Sequence, residues 1–479
     1  MKQIIYMILL VLSFASCGDF LDYKDKDKVI PAELAQYSEL VVGELTQKSA
    51  GTTCHNLWIM SDDFGTYVPD WIGDLTVDDR REYQNWYFWA KESQITYDGS
   101  ERIDPAWEHF YHKILMCNII ERDVNAFEDD LEGVKYRLLG EVQAIRAISY
   151  WYLVNMYGEP WRSAEQAKTA MGVPINRETS IKDKLYTRSS LAEVYTLIEE
   201  DLNNALKNLD KGEQKNTIFR PNQDWVRLFL SRVYLDQRRY EDVITVCNEL
   251  LRQTIREITP WTEMLNYVGS SEKPWIHKKN KSMIFSWLPR DSYPGNSSIS
   301  RNARYAPAEE LVASMDSKDI RSYANVTWDG NKTQINKYMA GQSGCESMNY
   351  RVEEVYLNRA EAYIELGKWE LGMKDVNKVY IQRIEGGKGE LSATDVETAR
   401  EQFRGEKRRE FCFEDMRWFD IRRWGLEVKH KYYNFSMDKT YVTYILEAES
   451  PNYVLPLPLD IQRRNFKIEH PKRIDVKKI

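Results

Sequence analysis

The sequence predicts a mainly α-helical protein, a helical-repeat scaffold joined to a large loop-rich half, and three observations carry that prediction. The first is Tyr350–Tyr380, where two amphipathic runs meet at Leu366-Gly367-Lys368. One run directs Val355, Ala360 and Tyr363 towards a partner, and the other does the same with Trp369, Gly372, Val376 and Val379. Gly367 is the expected left-handed stop between them, and Ala360 and Gly372 are small where two helices must approach. The order of tyrosine, small, aromatic and small residues follows the offsets of a tetratricopeptide hairpin. The second observation is that this pattern returns 129 positions earlier, in Asp224–Leu251. There Ser231, Tyr234, Tyr240, Val243, Cys247 and Leu250 take the places of Ala360, Tyr363, Trp369, Gly372, Val376 and Val379. Arg238 stands in place of Gly367, which weakens the stop but not the face. The third is Gln253–Met348, which has no sustained helical period and is rich in Trp, Tyr, Pro, Gly, Asn and Ser. It reads as irregular loops with short strands and helices, and a loop region of that length in a compact protein usually carries function.

Composition narrows the function. The 479 residues are 43% hydrophobic and 13% aromatic, ample for a large core. A net charge of −8, a pI near 5.6 and the lack of a Lys/Arg block argue against nucleic acid as a partner. Mean hydropathy is −0.59, and no apolar run reaches the roughly 18 residues that mark a membrane-spanning helix. Met1–Ser16 joins one Lys to about a dozen apolar residues and a small-residue end, which reads as a secretory signal. Cys17 follows Phe14-Ala15-Ser16 directly, as in a bacterial lipobox, with Phe14 departing from the usual Leu. Cys17 is therefore the expected lipidation site, and Gly18–Lys28 a polar, charged tether. Cys117 and Cys247 fall on apolar helix faces and read as core residues. No CxxC occurs, so no zinc site or disulfide framework is indicated.

In chain order, Ile30–Gln47 reads as a first helix with Pro31 at its start. Lys48–Asp104 is loop-rich and dense in aromatics, of which Trp86, Phe88 and Trp89 are expected to include core residues. Helices are predicted over Pro105–Ala126 and Gly133–Tyr157, the latter stopping at Gly158 with Pro160 behind it. A long connection follows. A helix over Ser190–Leu209 then opens on a capping box of Ser190 and Glu193, so Gly133–Tyr157 and Ser190–Leu209 form another hairpin, split by an insertion. After Tyr350–Tyr380, Asp395–Trp424 contains one long charged helix. Asn452–Ile461 is a Pro-interrupted extended segment, an edge strand or a docked tail.

Blocks spread along the chain carry a family resemblance. They include Cys17–Asp22, Asp62-Asp63, Arg146-Ala147 with Tyr150-Trp151 and Tyr157-Gly158, and Arg188-Ser189 with Val194-Tyr195, Asp201-Leu202 and Ala205. Further on come Arg232–Leu235, Arg351 with Glu354–Leu357 and Arg359–Ala362, Glu406 with Arg409–Phe411, and Glu414, Arg417, Asp420 and Arg423–Gly425. Tyr453 with Leu455–Pro458 closes the series. In this order they resemble the RagB/SusD family of outer-membrane nutrient-binding lipoproteins. The resemblance implies a scaffold with tetratricopeptide-like repeats and a loop-rich half that holds the ligand. It also implies a lid-like position on a TonB-dependent transporter barrel, with capture of glycans, or in some members peptides, at the cell surface. The resulting division is a signal peptide at 1–16, a lipid-anchored tether at 17–28, an N-terminal family region at 29–212, a repeat hairpin at 213–252, a loop-rich insertion at 253–349 and a C-terminal family region at 350–479.

A glycan site needs flat aromatic faces against sugar C–H faces, with amides or carboxylates on the hydroxyls. One candidate region is Trp58–Trp89, with Tyr67, Trp71 and Asp74 around an expected turn at Pro69–Gly73. The other is Pro260–Trp328, with Trp261, Trp275, Trp287, Arg290, Tyr293, Asn296 and Trp328; Trp71, Trp287 and Tyr293 lead the set. The carboxylates and arginines of Glu406–Arg423 fall at i,i+3 and i,i+4 and read as ion pairs tying a helix to the scaffold, not as a glycosidase pair. His109 and His112 lie one turn apart but have no third ligand nearby in sequence. No GxSxG, Walker loop or dinucleotide fingerprint is present, so no catalytic residue, cofactor or metal is expected. The leading expectation is an oligosaccharide-binding surface lipoprotein. A helical-repeat scaffold that binds only protein, or a peptide-binding member of the family, is the alternative, and a glycoside hydrolase stands third.

Overall fold

The computed structural model describes residues 31–46, 55–66, 83–96, 98–102, 104–128, 133–215, 217–266, 276, 280–289, 305–329, 332–335, 337, 346–414, 416–433 and 441–479. Cys17 and the leader lie outside them. The chain is mainly helical. Its first helix, α1 (Leu34–Leu40), passes directly into a π-helical segment, Val41–Thr46. It starts later than Pro31 suggested, with Glu33 at the cap.

The frame is organised around α3 (Val134–Tyr157), which lies between α2 (Ala106–Asn125) and α4 (Leu191–Lys211). Every residue of α3 from Arg137 to Tyr157 is buried, the state expected of a helix with apolar residues all round. The connection between α3 and α4 contains only the short helix Ala164–Ala167, so the two form the split hairpin expected. Ser190 caps α4 as predicted: Glu193 N–H donates to its Oγ at 3.2 Å, and Ser190 N–H donates to Glu193 Oε2 at 2.7 Å.

Helices α5 (Gln223–Asp236) and α6 (Tyr240–Gln253) form one predicted hairpin, and α7 (Val352–Glu365) and α8 (Trp369–Tyr380) the other; α7 packs on both α5 and α6. Gly367 has φ +74°, and Arg238 adopts the same left-handed turn at φ 59° without a glycine. A Cβ on Gly372 would lie 2.5 Å from Ile364 Cγ1 and 2.8 Å from the Ala360 carbonyl oxygen, so the hairpin closes only around a glycine there. Ion pairs rivet the layers. Arg146 donates to both oxygens of Asp201 at 2.7 Å, joining α3 to α4. Arg232 on α5 donates to Glu354 on α7 at 2.5 and 2.7 Å.

Two expectations for the C-terminal part need correction. The charged helix is two helices, α9 (Val396–Phe411) and α10 (Arg417–Trp424). Between them Phe413 turns left-handed at φ 63°, its buried ring packs edge-on against Phe64 at 5.6 Å, and its N–H donates to Asp63 at 3.2 Å. A tertiary contact thus overrides local helical preference. The Pro-interrupted tail is docked and forms no strand with a neighbour: Leu455 N–H donates to the Met156 carbonyl at 2.8 Å, and a helix, Leu459–Arg464, follows.

The irregular half contains small antiparallel pairings. β1 (Phe64–Thr66) pairs with β3 (Tyr305–Pro307), β2 (Met283–Pro289) with β6 (Glu346–Arg351), and β4 (Val326–Asp329) with β5 (Lys332–Ile335). A three-stranded sheet joins β7 (Val428–Tyr433), β8 (Tyr441–Leu446) and β9 (Lys477–Lys478). This half has its own core, which includes Trp58, Phe64, Tyr87, Tyr305 and Phe413.

Candidate functional site

The loop-rich half rests on buried charge. Arg417 donates to both oxygens of Asp62 at 2.6 and 2.7 Å, and Arg408 Nε donates to Asp63 at 3.1 Å. Burial opposes ionisation of Asp62, but Arg417 and Arg408 outweigh it and hold the carboxyl well below its usual range. At Asp63 burial wins, and the pKa is raised. Beside this turn His430 is stacked between Tyr87 at 4.1 Å and Trp89 at 4.2 Å, and burial pulls its pKa down to about 4.

Deeper in, Glu410 accepts from Arg351 at 2.7 Å, Arg383 at 2.8 Å and Arg321 at 3.2 Å. Arg321 also binds Glu406 and Asp319, and Arg351 and Lys337 both hold Glu414. Burial works against the Glu410 carboxylate, yet Arg383 and Arg351 keep it far below the usual carboxylate range. These carboxylates are committed to cations and are ionised at neutral pH, which suits structure and not proton transfer. The local spacing in Glu406–Arg423 predicted only part of this. Glu406 and Arg409 do pair one turn apart at 3.0 Å, whereas Glu410, Glu414 and Arg417 find partners from distant segments.

The expected sugar-binding residues divide three ways. Tyr67, Trp71, Asp74, Trp275, Arg290, Tyr293 and Asn296 lie outside the described residues, and Trp328 is placed on β4. Trp287 is a correction. It is 0% exposed, donates through Nε1 to the Leu45 carbonyl at 2.9 Å and packs against Trp225, so its faces belong to the core. Trp58 is likewise buried, and Trp261 packs half-buried against the same core as Phe64. The composition around Trp287 is loop-like, but its strand β2 is zipped to β6. Trp86, Phe88 and Trp89 are core residues as expected, as are Cys117 and Cys247. His112 lies 3.7 Å from Glu44, and among the described residues no cluster of three metal-ligating side chains occurs.

What the structure does bring together is the ends of the two candidate loops. Thr66, the last residue of β1, pairs with Tyr305, the first of β3. The segment carrying Tyr67 and Trp71 therefore leaves from the point at which the segment carrying Arg290, Tyr293 and Asn296 returns.

A second concave feature was not foreseen. A cleft of about 760 Å³ lies between α2, the connection around Asn176–Tyr186 and the docked tail at Pro456–Arg464. A neighbouring recess of about 320 Å³ shares Trp107, Tyr111 and Tyr186 with it. Tyr111 is fixed by donation to the Pro174 carbonyl at 2.7 Å. Arg102 stacks over Tyr83 at 3.8 Å, and burial lowers its pKa to about 10. The sequence signal for this cleft was the aromatic pair Trp107 and Tyr111 one turn apart on α2; its other walls come from segments remote in sequence.

Comparison with known proteins matches residues 199–458 to a family model described as "SusD family" and residues 19–235 to one described as "Starch-binding associating with outer membrane". A SusD-like protein of Bacteroides ovatus is 22% identical over 307 residues, 60% of this chain and 50% of that one. The chain thus spans about half the length of that curated relative. Among solved structures, a SusD superfamily protein from Bacteroides thetaiotaomicron superposes with a TM-score of 0.70 at 18% identity, covering 92% of this chain and 98% of the other. A SusD-like carbohydrate binding protein from Bacteroides vulgatus gives 0.65 at 16% identity, over 92% and 98%.

Proposed function

The chain belongs to the SusD/RagB family, whose model matches more than half of it, and from that premise we propose that it is a carbohydrate-binding lipoprotein of the outer membrane. It captures an oligosaccharide at the cell surface and delivers it to a partner TonB-dependent transporter. The observation that carries this reading is the match of residues 19–235 to a family described as starch-binding and associated with the outer membrane. Acyl chains on Cys17 hold it there; among the described residues no helix is long and apolar enough to cross a membrane. The hairpins α5–α6 and α7–α8, read as tetratricopeptide-like repeats, form the rigid frame that faces the barrel.

The sugar is held by the loop half. Tyr67 and Trp71 stack on pyranose faces from one segment. Tyr293 does so from the other, with Arg290 and Asn296 on the hydroxyls and Trp275 at the margin. The pairing of Thr66 with Tyr305 supports this grouping, because it tethers both segments at one place. Trp287 takes no part.

The test is calorimetric titration of the purified mature protein with α- and β-linked hexasaccharides of glucose, mannose, xylose and galactose, alongside co-purification from native membranes. Saturable binding of at least one saccharide and recovery of a TonB-dependent barrel are expected. A barrel recovered by a protein that binds no saccharide would favour the scaffold reading instead.

A further inference from the structure

The cleft beside α2 contains two polar side chains that the fold leaves unused. Trp86 is 1% exposed and Gln94 5%, and both line the cleft. Neither the Trp86 Nε1 donor nor the Gln94 Oε1 acceptor has a hydrogen-bond partner among the described residues. Their neighbours are satisfied: Tyr111 donates to Pro174 O, and Tyr157 donates to Asp104 at 2.7 Å. A buried donor and acceptor without partners carry a desolvation penalty that Phe and Leu of similar size would avoid. A hydroxyl group meets both needs, since it accepts from an N–H and donates to a carbonyl oxygen.

The remaining lining selects the kind of molecule. Trp107, Tyr111 and Tyr186 supply aromatic surface, and Pro456, Pro458 and Leu459 supply apolar surface opposite. Charge of both signs is present, with Glu101, Glu108 and Asp460 against Arg102, Lys182 and Arg464, and no single-sign field draws in an ion. Glu101 is already engaged by Arg463. The volume falls within the range of small-ligand sites. We propose that this cleft is a second saccharide site, in which hydroxyls of a neutral oligosaccharide take the Trp86 indole N–H and the Gln94 amide while its C–H faces lie on the aromatic wall. This rests on the reading of the protein as carbohydrate-binding and adds a site built from other residues than the Tyr67–Asp74 and Arg290–Asn296 loops.

The test uses the full mature protein labelled with ¹⁵N in its tryptophan indoles, with Trp86→Phe assigning the Trp86 resonance. The probe is whichever hexasaccharide gives binding heat in the panel above. Titration is expected to shift the Trp86 indole signal saturably, and Gln94→Leu to weaken that response about tenfold. Saccharide that binds by calorimetry but leaves the Trp86 signal in place overturns the cleft site and leaves the functional reading standing. No binding heat from any saccharide overturns both. Gln94→Leu has a second readout: an amide without a partner in the fold predicts an unfolding midpoint equal to or above that of the wild type. A lower midpoint means that the amide is bonded within the protein, which also overturns the proposal.

Discussion

The buried charge cluster around Glu410 and the cleft around Gln94 are both polar features inside an apolar protein, and they differ in one respect. At Glu410 each charge is met by another, with Arg321, Arg351 and Arg383 converging on one carboxylate. At the cleft a donor and an acceptor are left over. A saturated buried site returns its desolvation cost through internal pairing and has nothing to offer a ligand. An unsaturated one is unfavourable until something binds. Arginine-rich motifs in this chain therefore describe the frame, and ligand chemistry belongs where the fold leaves groups or loops uncommitted.

The largest effect is expected from breaking the saturated site. Glu410→Gln leaves three buried guanidinium groups short of a charge and should destabilise the protein by about 3–5 kcal/mol in denaturant titrations. The pH dependence has a definite sign. The folded pKa of Glu410 lies below its unfolded value near 4.3, so its contribution is complete above that value and is lost as the pH falls further. Wild-type stability should drop on acidification below about pH 4, and the Glu410→Gln variant should show a shallower drop.

A smaller effect separates the tryptophans. Trp287→Phe keeps most of the packing and removes the donor to Leu45 O, which Lys113 also serves at 2.8 Å. A loss of about 1–2 kcal/mol is expected, with saccharide affinity unaltered. A changed affinity would return Trp287 to the binding site.

The smallest effect compares the two hairpins. Arg238 sits in the left-handed conformation that Gly367 takes without strain. Arg238→Gly should therefore raise stability by about 1 kcal/mol, and Gly367→Ala should lower it by a similar amount. Equal responses at the two sites would contradict the account of these turns.

Much of the frame was legible because helix faces repeat locally: the hairpins, the Ser190–Glu193 cap and the small residue at Gly372 all follow from spacing within one or two turns. What was not legible depends on distant partners. Nothing near Phe413 announces that Asp63 will break the helix there, and nothing near Glu410 announces Arg321 or Arg351. Trp287 was misjudged because flanking composition resembles a loop, while its burial is set by β6 and Leu45. The cleft was missed because an unmet hydrogen bond at Trp86 or Gln94 is a property of the surroundings, not of the residue.

The account places the principal sugar contacts in the loops tethered at Thr66 and Tyr305, and calorimetric titration of the Trp71→Ala/Tyr293→Ala double variant tests this most directly. The variant is expected to lose at least one equivalent of bound saccharide relative to the wild type while its unfolding midpoint stays the same. Unchanged stoichiometry and affinity in the folded double variant would contradict it.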